Sequence, residues 1–149
     1  MSNKETEELN KLININKDAC DFYKSAQEKT KSDAFKRTFQ DLESLHQSVI
    51  INLKECVRTN GDKPEVNDTF TGQATQLWGE LMANISNDID ETLVKHLEEA
   101  EDRCLHTIEE AINEDDIKAA TKTVLSNELS TLKGSHDYMK ALKEALKVA

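Results

Sequence analysis

Long stretches of helical periodicity, with very few helix-breaking residues, constrain this chain more than any other feature. Apolar residues recur every three or four positions in four long segments, which is the period of an amphipathic helix. Only one proline and four glycines occur among 149 residues, so few positions force the backbone out of a helix. Aromatic residues make up 5% of the chain, which disfavours a sheet. The sequence therefore predicts an all-α fold.

The four segments have the lengths of bundle helices. They cover, in order, about residues 4–29, 33–60, 88–113 and 116–147. Ser32 or Asp33 is a suitable N-cap for the second segment, and Asn60-Gly61 a suitable end. A long loop is expected over residues 61–70, followed by a short accessory helix at about 71–85.

The lengths of the connections predict the topology. The first and last connections are short, so each joins an antiparallel helix pair. Ten extended residues span at most about 33–36 Å, and a 26-residue helix is about 39 Å long. The middle connection therefore reaches the far end of the bundle once the accessory helix is added, and the second and third helices run parallel. We expect one domain over residues 1–149, a four-helix bundle with one long crossover.

The charge is concentrated in one part of the chain. Residues 86–116 contain 12 acidic and two basic residues, which accounts for the whole net charge of −10. The absence of a basic surface argues against nucleic acid as a partner. No apolar run approaches the roughly 20 residues that span a membrane, and the N-terminus lacks the apolar segment of a secretory signal. Three widely spaced cysteines fit a reduced, cytoplasmic protein.

Polar residues interrupt three of the apolar stripes at similar heights. His46, Glu101 and His136 take apolar positions in the second, third and fourth helices, and Asn16 borders the same layer. A His–Glu–His cluster at the centre of the bundle is therefore expected. In one interpretation the cluster binds iron, manganese or zinc, with Glu43 as a fourth ligand in a Glu-x-x-His pair. In the other, the same groups satisfy each other by hydrogen bonds.

Packing and turn positions spread over nearly the whole chain carry a family resemblance. They are Leu9-Asn10-Lys11-Leu12-Ile13, Lys17-Asp18, Gly61, Gly72, Trp78, Glu98, Glu101, Asp102 and His136-Asp137. In these positions the chain resembles an uncharacterised bacterial family of ferritin-like four-helix-bundle proteins, a domain of unknown function. The resemblance implies the fold and no particular activity. The wider ferritin-like group often binds two metals through one Glu on each of two helices and Glu-x-x-His on the other two.

The chain departs from that two-metal pattern in two helices. Lys133 stands where a Glu-x-x-His motif in the fourth helix would need its Glu. In the first helix, Asp21 points away from the core and Asp18 lies on its flank. Two of the usual carboxylates are thus missing. His96 and His106 are expected to be solvated side chains on the third helix.

The leading expectation is a non-enzymatic, cytoplasmic bacterial protein that acts by packing or by binding a partner. No catalytic triad, phosphate-binding loop or zinc-protease motif occurs, and no small-molecule substrate is indicated. The alternative is a metal-binding ferritin-like protein with a storage, oxidase or stress-protection role. Candidate partners are a second copy of the chain, through a patch around Trp78, or a basic protein docked on Glu98, Glu99 and Asp102.

Overall fold

The computed structural model describes residues 4–66 and 89–148. Regular structure in these two stretches consists of helices, without any strand: α1 (Lys4–Lys29), α2 (Asp33–Thr59), α3 (Ile89–Ile112) and α4 (Ala119–Val148). The predicted all-α class is confirmed, and each predicted helix agrees with the structure to within about one turn. The accessory helix and the patch around Trp78 lie outside the described residues.

Local chemistry explains where α2 begins and ends. Ser32 has an extended backbone, and its hydroxyl accepts a hydrogen bond from the Phe35 amide at 3.2 Å. This N-cap satisfies one of the amides that a helix start leaves unpaired. After the helix, Gly61 adopts a φ of +84°, a left-handed conformation that a residue without a Cβ enters at little cost. Both boundaries were readable from the sequence.

Hydrogen bonds at the two ends of the structure establish the helix directions. At one end, the Thr30 hydroxyl after α1 donates to Asp90 in α3 at 2.5 Å. At the other end, Glu5 in α1 accepts from the Lys118 amide at 2.8 Å and from the Asn60 side chain at 2.9 Å. The start of α3 therefore lies beside the start of α2, and these two helices run parallel, as the loop lengths predicted.

The core consists of two apolar clusters with polar residues between them. One cluster includes Leu12 and Leu53 near the Glu5 end, and the other includes Phe39 and Leu97 near the opposite end. His46 and Glu101 are buried between the two. The broadest helix contacts are α1 with α2 and α3 with α4, and the α1–α3 and α2–α4 contacts complete the arrangement.

Helix α4 is rotated relative to the sequence prediction. Its buried positions recur every three or four residues: Thr121, Leu125, Glu128, Leu132, Ser135 and Met139. The predicted stripe used Leu129 and His136 instead, and both are only half-buried. One residue corresponds to about 100° of helix rotation, so this difference moves His136 from the centre to the flank.

None of the described helices has the length and apolar character needed to cross a membrane.

Candidate functional site

Four polar side chains, one from each helix, form a buried layer across the middle of the structure. They are Asn16 in α1, His46 in α2, Glu101 in α3 and Ser135 in α4, and each is at most 2% exposed. We refer to these four residues as the central polar layer. Each occupies a position that the helical period turns inward, so the elements themselves bring the four groups together.

Hydrogen bonds connect the central polar layer from α1 to α4. Asn16 donates through Nδ2 to the Leu12 carbonyl at 2.8 Å, and its Oδ1 therefore accepts from His46 Nδ1 at 2.7 Å. His46 Nε2 and Glu101 Oε1 are hydrogen-bonded to each other, and the Ser135 hydroxyl donates to Glu101 Oε2. Every polar side-chain atom of His46 and Glu101 is thus paired within the layer, as buried polar groups require.

Tyr23 forms one wall of the central polar layer. Its ring stacks on His46 with centroids 5.8 Å apart and lies 6.1 Å from Phe39. Its hydroxyl is buried and has no well-formed hydrogen bond among the described residues. Burial, and secondly the nearby Glu101 carboxylate, raises the pKa of Tyr23 well above its usual value, although the Ser135 side chain is close enough to oppose this shift. The phenol is therefore neutral across the physiological pH range.

Of the four predicted metal ligands, the structure brings His46 and Glu101 together. Glu43 is directed elsewhere, because its carboxylate accepts from Gln27 at 2.7 Å and from Gln47 at 3.4 Å. His136 does not face the layer, and Ser135 takes the place against Glu101 that the sequence assigned to His136. Metal binding by the predicted set of four stays a prediction.

His136 lies on the flank between α3 and α4. Its Nε2 is 2.5 Å from Asp102 Oδ1, and its Nδ1 is 3.1 Å from Asp137 Oδ1. Burial by itself lowers the pKa of His136, but the Asp137 and Asp102 carboxylates outweigh it and the pKa is raised. The imidazole therefore sits in a site of negative charge.

The three α3 carboxylates predicted as a docking surface, Glu98, Glu99 and Asp102, differ in exposure. Glu98 is 8% exposed, and its carboxylate is 3.4 Å from Lys143 Nζ in α4. Glu99 and Asp102 retain side chains that are 42% exposed. No sequence pattern indicated the Lys143 contact, because that contact depends on the rotation of α4. His106 is exposed, as predicted, and His96 is half-buried.

The three cysteines are free and buried. Cys20 donates to the Glu43 carbonyl at 3.6 Å and Cys104 to the Ile15 carbonyl at 3.8 Å. Burial raises the pKa of the Cys20 thiol to about 12 and that of Cys104 well above its usual value. Protonated, buried thiols are poor nucleophiles and poor metal ligands.

A cavity of about 450 Å³ lies between α2 and α4, on the Glu5 side of the central polar layer. Asn52, Cys56, Thr121 and Glu128 contribute to its lining. Asn52 donates to Glu128 at 2.6 Å across the two helices. Burial raises the pKa of Glu128 despite this hydrogen bond. No sequence pattern predicted this cavity, since it results from the way two helix faces meet.

Comparison with curated proteins gave no match, and comparison with solved structures gave none either. A family model does match, over residues 4–114. The matched region includes α1, α2 and α3, and with them Asn16, His46 and Glu101, while Ser135 and His136 lie beyond it. Because the match spans most of the chain, this protein belongs to the family described as Domain of unknown function (DUF2383).

Proposed function

We propose that this protein is a non-enzymatic, ferritin-like four-helix bundle that acts by binding a partner, and that its central polar layer serves to fix the helix packing. The observation that carries the proposal is the closed hydrogen-bond network of the layer. Both nitrogens of His46 and both oxygens of Glu101 are paired with protein groups. A site for substrate or metal needs an open position that solvent can reach, and these two residues, each at most 1% exposed, offer none.

A second candidate is a ferritin-like metal protein with a storage, oxidase or stress-protection role. Asn16 favours it, since a histidine held through Nδ1 presents Nε2 to a metal. Catalytic zinc sites use three protein ligands, so the number of ligands available here favours the structural role. The layer supplies two, His46 and Glu101, while Glu43 and His136 have other partners.

Metal content distinguishes the two candidates. The full chain would be loaded separately with Fe²⁺, Mn²⁺ and Zn²⁺, and bound metal per chain measured for the wild type, His46→Ala and Glu101→Gln. The structural proposal predicts the same metal content in all three proteins and lower stability of both variants in chelator. Stoichiometric metal that disappears in both variants but persists in His106→Ala would overturn it.

The acidic segment at the end of α3 indicates a basic partner. Residues 109–116 contain five acidic residues and no basic one, and Glu109, Glu110, Asp115 and Asp116 are exposed. The last turn of α3 has no basic residue either. The negative end of the helix dipole repels carboxylates there. A basic partner would relieve this repulsion, so the segment suits a binding surface better than the buried Glu98 does.

Charge reversal tests this surface. Binding of a lysine-rich peptide would be measured at increasing salt for the wild type and for Glu110→Lys/Asp115→Lys/Asp116→Lys. A control, Glu28→Lys/Asp41→Lys/Glu144→Lys, changes the same number of exposed charges elsewhere. We expect salt-sensitive binding that the first variant weakens more than the control. Equal weakening in both would refute a localised surface.

A cytoplasmic, bacterial setting is part of the proposal. The three buried, free thiols support a reducing compartment, and the bacterial origin is implied by the resemblance described above.

A further inference from the structure

A second group of metal-ligating side chains lies outside the central polar layer. Glu98 and Asp102 are one turn apart on α3, and His136 faces them from α4. One ligand atom from each of the three lies within 4.8 Å of the others. We call Glu98, Asp102 and His136 the α3–α4 triad. Two of its members are adjacent in sequence to the central polar layer, since Asp102 follows Glu101 and His136 follows Ser135. The α3–α4 triad nevertheless lies on the flank of the structure, between α3 and α4.

We propose that the α3–α4 triad binds one divalent transition metal ion, represented by Zn²⁺. One imidazole nitrogen with two carboxylate oxygens is a ligand set that zinc accepts, whereas calcium and magnesium sites are built from oxygen alone. The i, i+4 spacing places both carboxylates on the same side of α3. The Asp102 side chain is 42% exposed, so water has access to the remaining coordination position.

The neighbours of His136 orient it for this role. Asp137 Oδ1 lies 3.1 Å from Nδ1, and a hydrogen bond there leaves Nε2 directed at Asp102 and Glu98. A carboxylate behind a metal-binding histidine is the usual way in which proteins fix the ring and its tautomer. The histidine side chain is 12% exposed, so packing restricts it further. The Asp137–His136 contact involves neither Glu98 nor Asp102, and it also supports metal binding by the α3–α4 triad.

The local charge matches a divalent cation. Glu98, Asp102 and Asp137 contribute three negative charges, and Lys143, 3.4 Å from Glu98, contributes one positive charge. With a neutral imidazole the group has a net charge of −2. The Lys143 ammonium is on a flexible side chain that is 25% exposed and can move outward when a metal binds.

Zinc binding to the metal-free full chain tests the proposal. Isothermal titration with Zn²⁺ should show one ion per chain in the wild type. His136→Ala and Asp102→Asn should each weaken zinc binding by about tenfold or more. His106→Ala, a control variant on α3, should bind zinc as the wild type does. Circular dichroism would verify that each variant is folded. Co²⁺ absorption without a thiolate charge-transfer band would show that the cysteines are not ligands.

Glu101→Gln separates this inference from the structural role proposed above. Zinc retained in Glu101→Gln and lost in His136→Ala supports the triad and leaves the proposed function intact. Zinc retained in His136→Ala, or no zinc bound by the folded wild type, would overturn the triad. Zinc lost in Glu101→Gln but kept in His136→Ala would overturn both proposals.

Discussion

Replacing Glu101 by Met should be among the most destabilising single changes in this protein. Met is similar in length to Glu but cannot pair with the His46 ring or the Ser135 hydroxyl, both of which are buried. Breaking one side of a buried, hydrogen-bonded pair costs about 3–5 kcal/mol. For a chain of this size, each kcal/mol lowers Tm by about 2–4 °C, so the expected fall is about 6–20 °C. Glu99→Met, an exposed control on the same helix, should change stability by less than about 0.5 kcal/mol.

The free energy of unfolding would be measured by urea denaturation in chelator, monitored by circular dichroism. A double-mutant cycle with His46→Leu then isolates the interaction between the two residues. The double variant leaves only the neutral Asn16 and Ser135 groups unpaired. We therefore expect it to be more stable than the sum of the single changes predicts, by about 1–3 kcal/mol. Strictly additive effects, or a cost of under about 1 kcal/mol for Glu101→Met, would refute the reasoning.

Three further substitutions and one labelling experiment test separate parts of the structure. Tyr23→Phe removes a buried hydroxyl without a well-formed hydrogen bond, so urea denaturation should show unchanged or slightly higher stability. Gly61→Ala places a Cβ at a φ of +84° and should cost about 1–2 kcal/mol in the same assay. Burial raises the pKa of Glu128, so the folded protein favours the protonated form of this carboxyl. The stability that the protonated carboxyl contributes is lost as the pH rises through the raised pKa. Glu128→Gln should therefore be more stable than the wild type at pH 7, with the advantage disappearing as pH falls toward the ordinary value of 4.5. Burial and the raised pKa of Cys20 and Cys104 should make thiol labelling slow in the native protein and fast in urea.

Each of these expectations has a clear contrary result. A loss above about 1 kcal/mol in Tyr23→Phe would show that its hydroxyl is paired. Unchanged stability in Gly61→Ala would mean that the turn relaxes to negative φ. A stability difference for Glu128→Gln that does not vary with pH would rule out titration as its cause. Fast labelling of native protein would show that the thiols are accessible.

Much of the fold was predictable because helix formation depends on information close in sequence. The apolar period and the Ser32 and Gly61 signals gave the helix ends. The connection lengths gave the parallel arrangement of α2 and α3, since a short loop has only one way to join two packed helices. The candidate site was less predictable. His46 and Glu101 were found because each interrupts a stripe that is otherwise apolar.

The sequence by itself determined four amphipathic helices, their order and directions, and three residues of the central polar layer: Asn16, His46 and Glu101. Only the tertiary structure decided the rotation of α4, which placed Ser135 against Glu101 and sent His136 to Asp102 on the flank. The physical reason is that the inward face of α4 contains polar residues, Glu128 and Ser135, so hydrophobicity does not mark that face.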